Sequence, residues 1–419
     1  LRDSSKISSV SKLIIGNTSK KDQVVNLIIQ EAVKEELSLV TSLDVLNTSI
    51  KIRKSLIYDK EIFAQLWDPL SLSGVPLRIP INKIGAKVLA HMLDLTEVQS
   101  GVLHNAFRIA SDKNLKLISF NDLRAVLKHL SDNKKDYRLY YGNASTRSIN
   151  AIYRAILILE ELNLNMLFTL PSIDTRDFLT SGWPLHIINT KEIINYPSVY
   201  SGLLISLLVE LNECHQAQSF KKGLIILIDG KTLFNSLSNT LADDLVILLT
   251  SLMNKNIGVY LICSEVNDLP KKLVELFTSF MIYSKEALKE SELKKLPMMS
   301  DNSFSGIMSM EKRLIDNIII VDTYDNVSLL SNHESTLRIS IKENSSLKAK
   351  YEKVLATDTA FLSLQDKTEE NKDRAKQTRK PTPFETTLKN AAISFGKYIG
   401  NTIAKNLVQM LERKIERKD

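Results

Sequence analysis

Three short apolar runs, at residues 13–15, 223–228 and 257–263, set the tightest limit on the fold. A strand apolar on both faces has to be covered on both, which is the position of a central strand in a parallel sheet. Between these runs the apolar residues recur at helical spacing. Residues 24–37 place Val24, Leu27, Ile28 and Val33 on one face, and residues 199–214 and 241–254 carry further helices. Residues 39–45, 185–189, 280–283, 318–322 and 337–341 are expected as additional strands, the last two as a hairpin. Strands alternating with helices predict an α/β sheet with helices on both faces.

The pattern changes between residues 82 and 162, where four helical stripes follow one another. They are Ile84, Val88, Met92 and Leu95; Val98, Val102, Phe107 and Ile109; Leu123, Val126, Leu127 and Leu130; and Ile149, Ile152, Tyr153, Ile156 and Leu159. The expected organisation is a first part of the α/β core at 1–58, an all-helical insertion at 59–180 and a second part of the core at 181–364. Residues 365–383 are charged, poor in apolar side chains and end in Pro-Thr-Pro, the composition of a disordered linker. Residues 384–419 regain helical periodicity, with Leu388, Phe395, Ile399, Ile403 and Leu407 opposite Lys389, Lys397, Lys405 and Arg413.

The formal net charge is +7, and residues 365–419 hold 13 Lys and Arg against 8 Asp and Glu. The remainder is close to neutral, which argues against nucleic-acid binding by the body. Cys214 and Cys263 each sit in an apolar stretch, and the reading is two core thiols in a reducing, cytoplasmic setting. The longest apolar stretch, 199–211, is interrupted by Glu210 and is too short for a membrane span. The first residues are polar, so no signal peptide is expected, and a chain beginning with Leu is read as a fragment or one with a non-standard start. Six scattered histidines pair with no Ser or Cys motif, so no hydrolytic triad is expected.

The first apolar run leads into Gly16-Asn17-Thr18-Ser19-Lys20-Lys21-Asp22-Gln23 and then a helix. Strand, turn and helix start is the layout of a phosphate-binding loop, whose pattern is Gly-x-x-x-x-Gly-Lys-Ser/Thr. There the second glycine admits the phosphates to backbone amides, the lysine neutralises them and the hydroxyl holds magnesium. Gly16 and Thr18 stand, but Lys21, Asp22 and Gln23 fall where the second Gly, the Lys and the Thr belong. With only 13 glycines the chain is poor in the residue such cradles need. A loop slipped by one residue would put Lys21 in the lysine slot and Asp22 in that of the hydroxyl.

Within the helical stretch, Trp67-Asp68-Pro69, the run from Leu95 to Leu103 and Phe107-Arg108-Ile109-Ala110 stand in order. Asp122-Leu123-Arg124-Ala125 and Tyr141-Gly142-Asn143 continue the series. On these strings the chain resembles the bacterial HerA-like P-loop ATPases, and within them the helicase-HerA-like group. The match covers residue 13 to about residue 290. The resemblance implies a RecA-like P-loop NTPase core with a helical insertion, hydrolysing ATP at subunit interfaces.

Carried over residue by residue, that chemistry fails at most positions. Residues 224–228 and Asp229 match the second ATPase motif and make Asp229 a relic magnesium ligand, although an acid there could equally cap the following turn. The resemblance places a water-activating Glu at Gly230, a Gln sensor at Glu265 and an intersubunit arginine near Ser279. Asp22 can satisfy the helix start as an anion worth about 0.3–1 kcal/mol. It also sets a carboxylate where phosphate would lie, at a cost of roughly 3 kcal/mol per like-charge pair at ~5 Å and an effective dielectric of ~20.

The expectation is a catalytically inactive relative with no catalytic residues and no cofactor, serving as a structural or regulatory protein-binding subunit. Relic nucleotide-binding positions are Gly16, Thr18, Lys20, Lys21, Asp22 and Gln23. Protein partners or self-association through the insertion and the C-terminal helix are expected. That basic helix could also lie on an anionic membrane surface. The alternative reading is a degenerate ATPase or DNA translocase that still binds ATP-Mg, completed by another subunit.

Overall fold

The computed structural model describes residues 10–16, 21–46, 60–134, 136–137, 142, 144–214, 223–284, 290–297, 301–309, 317–321, 327–331 and 337–352. The expected linker at 365–383 and helix at 384–419 lie outside these residues, as do Thr18 and Lys20.

Strands β1 (Lys12–Ile15), β2 (Ser38–Ser42), β3 (Lys60–Asp68), β4 (Val75–Pro76), β5 (Leu185–Ile188), β6 (Leu224–Asp229), β7 (Ile257–Cys263), β8 (Phe280–Ile282), β9 (Asn317–Val321), β10 (Val327–Ser331) and β11 (Leu337–Ile341) build one sheet. Among the described residues its order is β10-β9-β8-β1-β7-β6-β2-β5-β3-β11, with β4 paired to β3. From β8 to β11 every pairing is parallel, and only β9 runs against the rest, antiparallel to both β8 and β10. The apolar runs do occupy the centre: Leu13, Ile14, Ile225, Leu227, Val259 and Leu261 have no exposed surface. Each such side chain gains ~1.5–3 kcal/mol from burial, which is why uninterrupted apolar runs settle in the middle of a covered sheet.

Helix α1 (Lys21–Lys34) follows β1 and begins earlier than the apolar pattern at 24–37 indicates. Strand β2 ends at Ser42, and a 3-10 turn (Leu43–Leu46) takes the rest of the stretch expected as strand. Between β4 and β5 lie α2 (Ile81–Ile84), α3 (Ala86–Met92), α4 (Glu97–Asp112), α5 (Phe120–Asp132) and α6 (Thr146–Glu161). Lys60–Asp68, inside the stretch expected as an all-helical insertion, is instead a strand of the main sheet between β5 and β11. The stripe on α5 is buried as read, with Leu123, Val126 and Leu127 at 0% exposure. Val98 is not part of its stripe and is 72% exposed. Thr96 and Gln99 form a capping box that starts α4 at Glu97, and this turns Val98 outward in the first turn.

Helix α7 (Pro197–Cys214) is buried almost all round. It is followed, after β6, by α8 (Gly230–Phe234) and α9 (Asn239–Asn254), and α10 (Ser345–Glu352) ends the described core. The expected hairpin between residues 318–322 and 337–341 does not form. Strand β9 pairs with β10, while β11 crosses to the far edge beside β3. Cys263 is buried and Cys214 half-buried, both as free thiols. No helix among the described residues is long and apolar enough to cross a membrane.

Candidate functional site

In a parallel sheet, ligands meet the loops at the carboxyl ends of the strands. At that edge Gly16 follows β1 and Asp229 ends β6, with β7 between them. Lys21, the first residue of α1, crosses this gap and sets its Nζ 2.6 Å from Asp229 Oδ2. The two side chains are 17% and 18% exposed, so the pair is only partly screened. A charge-assisted bond of this kind is worth about 1.5–3 kcal/mol.

Asp229 is bonded through its other oxygen as well. Its Oδ1 accepts from the Thr232 backbone N–H at 2.9 Å and caps α8. The turn-capping role is therefore the one this side chain is seen to play. Asp22 lies within the first turn of α1 rather than before it, so it complements the helix dipole but is not the cap residue. Gln23 is exposed on the same turn.

Gly16 is held from above by Tyr283. The Tyr283 hydroxyl donates to the Gly16 carbonyl at 2.9 Å, and the Gly16 N–H donates to the Cys263 carbonyl at 3.1 Å. A Cβ on Gly16 would fall 2.6 Å from the Tyr283 ring, so glycine is required by this close approach. Burial pushes the Tyr283 phenol well above its ordinary range, leaving it a donor at every physiological pH.

Gly230 is closed in. A Cβ there would meet Leu269 Cδ2 at 2.7 Å and the Ile262 carbonyl oxygen at 3.3 Å. Leu269 thus crowds the Cβ position of any side chain standing where the resemblance puts a water-activating Glu. Glu265 is exposed, and it forms a capping box with Asp268 at the start of a 3-10 turn. Ser279 is 1% exposed, accepts from Lys12 Nζ at 2.9 Å and donates to the Val321 carbonyl at 3.1 Å. It precedes β8 and so sits at the amino-end edge of the sheet, away from Gly16 and Asp229.

One polar network at the carboxyl edge escapes a reading of the sequence. Asp44 follows β2 and accepts from Thr190 Oγ1 at 2.9 Å and from the Tyr200 hydroxyl at 3.0 Å. Thr41 stands beside Leu227, so Asp44 and Gly230 leave the sheet on neighbouring strands at the same edge. Tyr200 has no exposed surface, and burial together with Asp44 raises its phenol well above the ordinary range. The available signal was an acid directly after a buried strand, obscured because residues 39–45 read as continuous strand.

The residues present do not fit a magnesium-bound triphosphate as the resemblance would hold it. Both oxygens of Asp229 are bonded, position 22 is a carboxylate and position 230 carries none. Among the described residues, no group of three or more His, Cys, Asp or Glu side chains could hold a metal ion.

A family model described as "Helicase HerA-like C-terminal" matches residues 19–295. Among solved structures, the chain is similar to VirB4 of Thermoanaerobacter pseudethanolicus, at 10% identity and TM-score 0.49 over 77% of this chain and 88% of that one. It is also similar to the plasmid coupling protein TrwB in complex with a non-hydrolysable GTP analogue, at 13% identity and TM-score 0.40 over 79% of each chain. No functionally curated protein matches the sequence.

Proposed function

The chain belongs to the helicase HerA-like C-terminal family, with a RecA-like P-loop core, and from that premise we propose that it is a catalytically inactive member serving as a structural or regulatory protein-binding subunit. The observation that carries this reading is the glycine at position 230, with Leu269 packed against it. Without an acid to orient the attacking water, phosphoryl transfer to water loses its base. The engaged Lys21–Asp229 pair adds to it, since an entering phosphate has to break that bond before the lysine can neutralise it. The partner is another protein or a second copy of this chain, contacted through the helical insertion and residues 384–419.

Calorimetric titration with millimolar ATP-Mg and a steady-state ATPase assay test the proposal. The expected results are no saturable heat and no turnover; turnover abolished by Asp229→Ala overturns the reading.

One observation favours a second reading, in which nucleotide binding persists without the family's acid. The reach of Lys21 to Asp229 is the contact expected if the loop is slipped by one residue and Lys21 serves as its lysine. Saturable ATP-Mg binding lost in Lys21→Met, with no turnover, would establish that state.

A further inference from the structure

The sheet edge opposite Gly16 and Asp229 carries a cavity of about 580 Å³ that the nucleotide end does not use. Phe63 near the start of β3 and Trp183 just before β5 form its aromatic wall. Their rings meet edge to face, with centroids 5.6 Å apart and planes at 89°. The charged residues lining the cavity, Glu61 and Glu343, are both carboxylates and both exposed. Ser340 donates its hydroxyl to Glu61, and Lys348 pairs with Glu343. The wall already attracts a cation: Lys342 Nζ sits 3.6 Å from the centroid of the Phe63 ring.

We propose that this cavity receives an arginine side chain from a basic segment of a partner protein. Aromatic faces draw cations through their quadrupole, most strongly for Trp, and a guanidinium can stack on an indole while its N–H fork reaches a carboxylate. The volume lies within the range of ligand sites and exceeds a single ion's need, so a short stretch of peptide enters rather than a metal. The proposal is independent of whether nucleotide binds at the other edge.

The chain has two tryptophans, and only one faces this cavity. Trp67 has no exposed surface and donates its indole N–H to His186 Nδ1 at 3.1 Å. Tryptophan emission from the full chain, titrated at low salt with acetyl-Gly-Arg-Arg-Gly-amide, should therefore change saturably through Trp183. An acidic peptide, acetyl-Gly-Glu-Glu-Gly-amide, should leave it unchanged. Glu61→Gln/Glu343→Gln, which alters only exposed side chains, should weaken the arginine peptide at least tenfold with unchanged circular dichroism. Trp183→Phe keeps an aromatic wall, so it should remove the optical signal while calorimetry still detects binding. Absence of saturable binding, equal binding of the acidic peptide, undiminished affinity in the double glutamine variant, or an emission change surviving Trp183→Phe would each overturn the assignment.

Discussion

Gly230→Ala measures directly how tightly the structure packs around position 230. The added Cβ would lie 2.7 Å from Leu269 Cδ2 and 3.3 Å from the Ile262 carbonyl oxygen. A methyl inserted into a filled core costs about 1–3 kcal/mol. The leucine methyl can swing away but the carbonyl cannot, so the cost should fall in the lower half of that range. Replacing glycine offsets about 0.4–1 kcal/mol through the unfolded chain. A net loss of about 0–1.6 kcal/mol follows.

Leu269→Ala alone should cost about 2–5 kcal/mol, because Leu269 is 6% exposed and its removal leaves a void. In that background the alanine at 230 fills space instead of competing for it, so the double variant should beat the sum of the two losses by about 1–2 kcal/mol. Urea unfolding followed by circular dichroism on the four proteins gives the coupling. Gly230→Glu should be worse than alanine, since a longer side chain leaves from the same crowded Cβ position, and should give no ATP turnover. Additive losses within ~0.3 kcal/mol, or a stable Gly230→Glu protein that hydrolyses ATP, would refute the steric reasoning.

Asp229→Asn keeps a capping side chain but strands the Lys21 ammonium, so it should cost about 1–3 kcal/mol in urea unfolding. Asp229→Ala should cost about 1 kcal/mol more through the lost cap, and equal losses would show that capping is not part of its role. Tyr283→Phe removes the hydroxyl bond to Gly16, with an expected loss of about 0.5–1.5 kcal/mol in the same assay. Burial lowers the pKa of His91, opposed by Asp94, while His91 Nε2 and Ser201 Oγ stand 2.8 Å apart. The folded chain thus binds that proton less readily than the unfolded one. Stability from this group is complete above the ordinary histidine value and lost as pH falls through it toward the folded value. The urea midpoint should drop across this window, and His91→Gln should flatten the slope.

The central strands and the insertion's helices were legible because their signals are local. Ile225 and Leu227 lie in an unbroken apolar run, and Leu123, Val126 and Leu130 recur at helical spacing. Strand β3 was missed although Ile62, Ala64, Leu66 and Asp68 face one way and Phe63, Gln65 and Trp67 the other. Apolar residues stand on both faces and each face carries a polar one, Asp68 or Gln65, so alternation gives a weak pattern. The β9 partner was misassigned because two short apolar strands carry no label saying which neighbour completes their hydrogen bonds. Of the site, the glycine at 230 was readable from the residue alone, whereas the contact of Leu269 against it was not.

The sequence by itself determined the class of fold, the family strings and the absence of a carboxylate at 230, since each is a matter of residue identity or local period. Only the tertiary structure decided that Lys21 meets Asp229 across 208 positions of chain, that Ser279 lies at the opposite edge and that Asp44 stands beside the acid strand. Those are choices among distant partners, settled by strand order and burial, and no stretch of chain a few residues long contains them.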